Sequence, residues 1–269
     1  MSHNNKHTIR RAKPLLGTIV ELSLFSSSHA EDALASLVAR SFQRISEIQR
    51  AMSFFESSSD VSRLNNSSLN QRVPVFPETA QLLKLASELY RESEGAFDVM
   101  YQGRQQFPDV EIIFHETGHV SRTAPAKVDL GGIAKGYAVD EAARILQADG
   151  QTSGVINAGG DLRFFGPEKF PLSIRSPYND GRYFNLGAFS ECAVATSLFY
   201  RGSEPSSISV LAPACVLADS LTKVVFGLDP MQRDAVLSKY GASYLEIDSK
   251  TMGHMMVENT IVQGEELVR

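Results

Sequence analysis

Across residues 15–25 (LLGTIVELSLF) apolar and polar positions alternate around the β-branched Thr18, Ile19 and Val20, the period of a strand with one wet face. The period then changes. Over residues 30–53, Leu34, Leu37, Val38, Ile45, Ile48 and Met52 recur at spacings of three, four and seven, which predicts an amphipathic helix, with Ser26, Ser27 and Ser28 as cap candidates. The Ser/Asn-rich stretch 57–70 predicts a loop. Residues 77–93 predict a second helix with Leu82, Leu83, Ala86, Leu89 and Tyr90 inward, stopped by Gly95. Between 110 and 127 two short strands join at Thr117 and Gly118. A third helix, 133–148, ends at Gly150. Strands follow at 154–157, 171–175, 193–196 and 207–211, helices at 217–226 and 230–239, and strands at 243–248 and 255–257. Helices and strands interleave without a strict βαβ repeat, so the expected class is α+β, mixed sheets packed with helices, rather than a doubly wound sheet. With no internal repeat and no long linker, residues 1–269 are expected to form one domain, with a flexible tail at 1–13.

Composition narrows the function. The 269 residues carry 26 Lys and Arg against 31 Asp and Glu, a net charge of -5, and 43% are hydrophobic, which excludes disordered and fibrous architectures. No block of Lys or Arg is present, so nucleic acid and membrane surfaces are poor partners, because both demand concentrated positive charge. A small molecule or another protein fits better. Cys192 and Cys215 lie in apolar stretches without CxxC spacing and are expected to be buried free thiols. Residues 1–18 show neither the apolar core of an export signal nor a lipobox cysteine, and no apolar run reaches bilayer length, so a cytoplasmic location is expected.

Four local patterns carry candidate chemistry. His115-Glu-Thr-Gly-His119 matches the zinc-protease spacing HExxH, which works only when a helix sets both histidines one turn apart on one face. The flanks are strand-like and Gly118 breaks helices, so a hairpin is the better reading. Asp129-Leu-Gly-Gly-Ile-Ala-Lys-Gly136 places paired glycines ahead of a helix and a lysine in its first turn. That arrangement can cradle a phosphate on backbone N–H groups and the helix N-terminus; it can equally be a plain turn into a core helix. Val155-Ile-Asn-Ala-Gly-Gly-Asp161 ends a buried strand in glycines and an acid, a pattern that lines clefts or makes ordinary turns. Asp219 and Lys223 share a helix face at i,i+4, either as a surface ion pair or, given the apolar Leu217, Ala218, Leu221, Val224 and Val225 around them, with Asp219 as a partly buried functional acid.

Together these pieces resemble the ApbE family, the FAD:protein FMN transferases, in that family's order over nearly the whole chain. Leu16-Gly-Thr18 resembles its Met-Gly-Thr strand. Met52-Ser-Phe-Phe55 and Ser59-Asp-Val-Ser-Arg-Leu-Asn65 resemble its M-S-x-Y…S-E-L-S-x-x-N stretch, and Gly95-Ala-Phe-Asp98 its G-A-F-D. Residues 128–140 (VDLGGIAKGYAVD) are close to its consensus, Asn157 to Asp161 follow its N-x-G-G-D, Ala195-Thr-Ser197 its A-T-S, and Ala218-Asp219 the start of its A-D-A-x-x-T helix. The resemblance implies an α+β fold with a flavin cleft, in which FAD donates FMN to a threonine hydroxyl of an acceptor flavoprotein and AMP leaves, with Mg²⁺ assisting. By position it implies FAD contacts at Leu16, Phe55, Ala96, Phe97, Asp98, Asp129 and Lys135, metal ligands at the Gly132 carbonyl and Asp219, and catalytic roles for Asp219 and Lys223.

Four departures accompany it. Leu16 stands for the family's methionine and Phe55 for its tyrosine. The threonine of the metal helix falls at Lys223, since Thr222 comes one residue early. The family's histidine-bearing H-I-I-D-P block has no counterpart in the interval LFYRGSEPSSISVLAPACVL, residues 198–217. Lysine lacks the acceptor a metal ligand needs, so the Lys223 ammonium is expected to take the place of Mg²⁺ beside Asp219. The alternative from another class is a flavin-binding protein that does not transfer FMN.

Overall fold

The computed structural model describes residues 7–100, 112–115, 118–148, 152–178 and 180–248, and the backbone of strands at 254–257, 260–263 and 266–267. The chain opens with a hairpin, β1 (His7–Leu15) and β2 (Thr18–Ser26). Leu15 pairs with Thr18, and both loop residues, Leu16 (φ 56°) and Gly17 (φ 71°), are left-handed, the two-residue loop that suits strand twist. One expectation is corrected: the strand expected from residue 15 begins at Thr18, and residues 7–15 form the preceding strand β1. Only Ile9 of β1 is fully buried, and Arg10, Arg11 and Lys13 protect an edge strand, so no alternation marked it.

Helix α1 (Glu31–Met52) buries Leu34, Val38, Ile45, Ile48 and Met52 of the expected stripe. Inside the expected loop stands α2 (Asp60–Asn66). Ser59 Oγ caps it, accepting from the Ser62 N–H at 2.9 Å. Asp60, 1% exposed, accepts from the Phe76 N–H and the Thr79 hydroxyl, each at 2.7 Å. This helix is held by buried polar groups, which is why its polar sequence resembled a loop.

After β3 (Val73–Pro74) and α3 (Pro77–Glu92), strands β4 (Ile112–His115) and β5 (His119–Arg122) form the expected hairpin, with His115 paired across from His119. These histidines stand on opposite strands, so HExxH is no zinc motif here. Next come α4 (Ala134–Leu146), β6 (Thr152–Ala158), β7 (Asp161–Phe165), β8 (Phe170–Arg175), β9 (Tyr183–Phe189), β10 (Ala193–Arg201), β11 (Glu204–Ala212), α5 (Cys215–Gly227), α6 (Pro230–Lys239) and β12 (Ser243–Ile247), with β13 (His254–Val257), β14 (Thr260–Gln263) and β15 (Glu266–Leu267) last. The class is α+β, as expected. A seven-stranded sheet runs β1-β2-β6-β7-β10-β11-β12.

Both faces of that sheet are covered. Helices α1, α4 and α5 share the main core with Leu22, Leu24, Ile156, Ala193, Ala195 and Ile208. On the other face Phe164, Val194, Leu245 and Ile247 pack against Leu172, Ile174 and Phe184 of β8 and β9. Cys215 is buried and Cys192 half-buried, both free thiols. Among the described residues no helix is long and apolar enough to cross a membrane.

Helices α4 and α5 approach unusually closely. A Cβ on Gly136 would lie 2.3 Å from the Cys215 carbonyl oxygen. One turn on, Asp140 caps α5 with both oxygens, accepting from the Cys215 and Val216 N–H groups at 2.8 Å each. No side chain within α5 serves that end. The Gly136→Ala variant is expected to lose about 1–3 kcal/mol of stability by forcing the helices apart, read as a lower urea midpoint with an unchanged slope.

Candidate functional site

The motifs gather at one end of the seven-stranded sheet because neighbouring hairpins turn there. Between β6 and β7, Gly159 (φ 65°) and Gly160 (φ 103°) make a turn closed by Ala158 opposite Asp161. Its geometry demands glycine twice over: both φ values are left-handed, and a Cβ on Gly159 would lie 2.5 Å from Thr18 Oγ1. Asn157 Oδ1 accepts from the Gly160 N–H at 3.0 Å. This turn sets Asp161, 4% exposed, at the head of β7. Next in the sheet, β10 carries Ser197, whose hydroxyl meets Thr222 Oγ1 of α5 at 2.9 Å.

The approach to α4 is pinned from three sides. The Asn65 side-chain amide bonds both the carbonyl and the N–H of Val128 at 2.8 Å. Asp129 donates its N–H to the Val99 carbonyl at 2.7 Å, and its Oδ1 accepts from the Gly131 N–H at 2.8 Å. The Ile133 and Ala134 N–H groups both donate to Leu130 O. Much of the expected phosphate cradle is therefore satisfied internally, and the positive charge at this turn resides in lysines.

Lys135 leaves the first turn of α4 and reaches two acids, with its Nζ 2.8 Å from Asp161 Oδ2 and 3.1 Å from Asp219 Oδ2. Lys223 bends back along α5, placing its Nζ 2.5 Å from Asp219 Oδ1 and 2.7 Å from the Asp219 carbonyl oxygen. The Asp219 side chain is 1% exposed, so an ammonium on each oxygen provides the charge compensation its burial requires. Burial lowers the proton affinity of Lys135, yet Asp219 and Asp161 hold it above the usual lysine value. Asp161 moves the other way, pushed up to about 6 by burial and then by the charge of Asp219, with Lys135 opposing.

The expected residues are held in different ways. Gly132 lies against the lysine and an aromatic ring, since a Cβ there would be 3.7 Å from Lys223 Cε and 3.8 Å from Phe97 Cε2. Phe97 is 2% exposed, with its N–H donated to Ser93 Oγ at 3.0 Å. Ala96 touches α5, its Cβ 2.8 Å from the Cβ position of Gly227. Asp98 accepts from the Met100 N–H at 2.7 Å and shapes its own loop. Leu16 lies in the β1–β2 turn and Phe55 follows the C-terminal end of α1. The Leu16 N–H donates to Gln49 Oε1 of α1 at 2.6 Å, and Phe55, 89% exposed, leans edge-on against Phe54.

Sequence reasoning weighed Asp161 as a cleft-lining acid or part of an ordinary turn, quoted Ser197 only within the A-T-S motif, set Thr222 aside as one residue early, and named none of the three as a site residue. The available signal was the Gly-Gly-Asp turn beside Thr18. A cavity of about 210 Å³ lined by Arg44, Ile48, Met52 and Phe76 includes none of these residues.

A Mg²⁺ ion does not fit this donor set. Mg²⁺ asks for oxygen ligands in octahedral array, whereas both Asp219 carboxylate oxygens and its carbonyl already meet ammonium groups. Among the described residues no three His, Cys, Asp or Glu side chains cluster as a metal site.

Because Asp161 binds its proton more tightly in the folded chain than at the ordinary 3.8, stability falls as pH rises from 3.8 toward 6, and the full cost is present above 6. Asp161→Asn removes that cost. The variant is expected to exceed the parent by on the order of 2 kcal/mol at pH 8, with the gain vanishing near pH 4, in thermal unfolding followed by circular dichroism.

Known proteins resemble this chain in sequence and in fold. The FAD:protein FMN transferase of Vibrio cholerae is 25% identical over 260 residues, covering 77% of this chain and 78% of that protein. The Haemophilus influenzae protein of the same name is 24% identical over 242 residues, covering 68% and 70%. Among solved structures, the ApbE protein of Thermotoga maritima aligns with a TM-score of 0.76 at 23% identity over 96% of this chain and 97% of its own. The flavin transferase ApbE of Vibrio cholerae aligns at 0.76 with 20% identity over 97% of each chain. These two share the fold. The ApbE family model matches residues 16–203, well over half of the sequence, and with the fold and the clustered motifs in agreement the chain belongs to the ApbE family.

Proposed function

We propose that this chain transfers FMN from FAD to a threonine hydroxyl of an acceptor flavoprotein and releases AMP. One observation carries the reading: two lysines converge on the buried Asp219 beside Gly132 and Phe97, concentrating positive charge where a pyrophosphate can be met. Membership of the family and the transferase names of two relatives support it.

In the reaction the threonine oxygen attacks the phosphorus of the FMN half, the bridging P–O bond breaks, and its electron pair leaves with AMP. Negative charge builds on the phosphate oxygens, and ammonium groups fixed beforehand stabilise that charge at little reorganisation cost. Lys135 and Lys223 supply it. Phe55 offers an exposed aromatic face to the flavin or its acceptor, and Leu16, Ala96, Phe97, Asp98 and Asp129 complete the FAD contacts in this reading. The attacking hydroxyl must lose a proton. Both Asp219 oxygens are ion-paired, whereas Asp161, which titrates near 6, meets one lysine and is the better acceptor.

A second reading, flavin binding without transfer, is favoured by one feature. The β10–β11 hairpin is paired continuously from Ala193 opposite Ala212 to Arg201 opposite Glu204 and carries no histidine. Incubation with FAD and a threonine-bearing flavoprotein subunit, followed by mass spectrometry of the subunit and assay of AMP, separates the two. Transfer predicts an added FMN mass with equimolar AMP. FAD binding without either product would establish the second reading. Lys135→Ala is expected to slow transfer by about 10²–10³-fold.

A further inference from the structure

We propose that the ammonium of Lys223, held against Asp219 beside Gly132, is a tethered cation in the place of a divalent metal, so that the chain holds its anionic ligand without one. Ion pairs at i,i+4 on a helix surface are usually loose and solvated. This one is not. The Lys223 side chain is 29% exposed, and its Nζ meets both Asp219 Oδ1 and the Asp219 carbonyl oxygen. Its Cε lies 3.7 Å from the position of a Gly132 Cβ, an ordinary contact distance that sets the lysine chain alongside the glycine turn.

Two N–H donors of Lys223 are thus directed at Asp219, and an ammonium has three. The third can meet a phosphate oxygen, which is also what a metal would do from that position. Thr222, the neighbouring hydroxyl, is turned away: it donates to the Asp219 carbonyl at 2.8 Å and is shared with Ser197. With Lys135 on the opposite Asp219 oxygen, a divalent ion entering here would face two fixed positive charges and no uncommitted carboxylate oxygen of Asp219. The ammonium's place against Asp219 rests on the chain's own residues, whereas the metal it replaces and the anion, a dinucleotide pyrophosphate, rest on the proposed function.

The test uses Mn²⁺ as a spin probe without nucleotide, then FAD titration by flavin fluorescence in EDTA and in Mg²⁺. The unmodified chain should bind no Mn²⁺ below about 1 mM, a range typical of weak sites, and its FAD affinity should be the same in both buffers. Lys223→Thr, which exchanges the ammonium for a hydroxyl oxygen, should gain a Mn²⁺ site, weaken FAD binding in EDTA by roughly tenfold and recover it in Mg²⁺. Lys223→Met should weaken FAD binding equally in both. Micromolar Mn²⁺ binding by the unmodified chain, or loss of its FAD affinity in EDTA, would overturn the proposal whether or not the variants fold. If FAD fails to bind while the Mn²⁺ results hold, the tethered cation stands and the flavin reading fails.

Discussion

Burial of the Asp219 carboxylate is the constraint on which the site end of the molecule depends. A charged group removed from water is tolerated only when opposite charge and hydrogen bonds replace the lost hydration. Two lysines do so, one from α4 and one from α5 itself. Lys135 can reach Asp219 only if α4 lies hard against α5, and the absence of a side chain at Gly136 allows that approach. Asp140 then fixes the register between the helices by capping α5 from α4. Residues 128–140 are thus a docking segment that also delivers one positive charge.

The same end of the molecule collects uncomfortable conformations. Leu16 occupies left-handed backbone without being glycine, Asp161 is an acid pushed toward neutrality, and two acids share one lysine. Each costs free energy in the folded chain; Leu16 and Asp161 lie where hairpins turn, and Lys135 and Asp219 come from the two helices docked beside that end. Arrangements of this kind persist where the surrounding packing determines them and where ligand binding makes use of them. The hydrophobic layers on both faces of the sheet supply the rigidity that holds them.

Two features separate charge from metal chemistry. Lys223 takes up the oxygens that would attract a divalent ion, and the β10–β11 hairpin closes residues 193–212 into continuous pairing without a histidine. Among the described residues, the positive charge beside Asp219 comes from Lys135 and Lys223. Overall the chain remains acidic, at a net charge of -5, so the attraction it offers an anion is local and directed.

The sequence by itself determined the α+β class, helices α1, α3, α4, α5 and α6, the hairpin that disqualifies HExxH, and membership in a family through motifs such as VDLGGIAKGYAVD. Those follow from periodicity, helix stops and residue order, all of which are local. It did not reveal β1, whose exposed edge has no alternation, or α2, whose burial is polar and depends on partners at Phe76 and Thr79. It ranked Asp161 below Asp219, although the two acids share Lys135. Only tertiary structure decided that, because residues 135, 161, 219 and 223 meet through the docking of two helices and the turning of one hairpin, contacts between segments that local pattern does not encode.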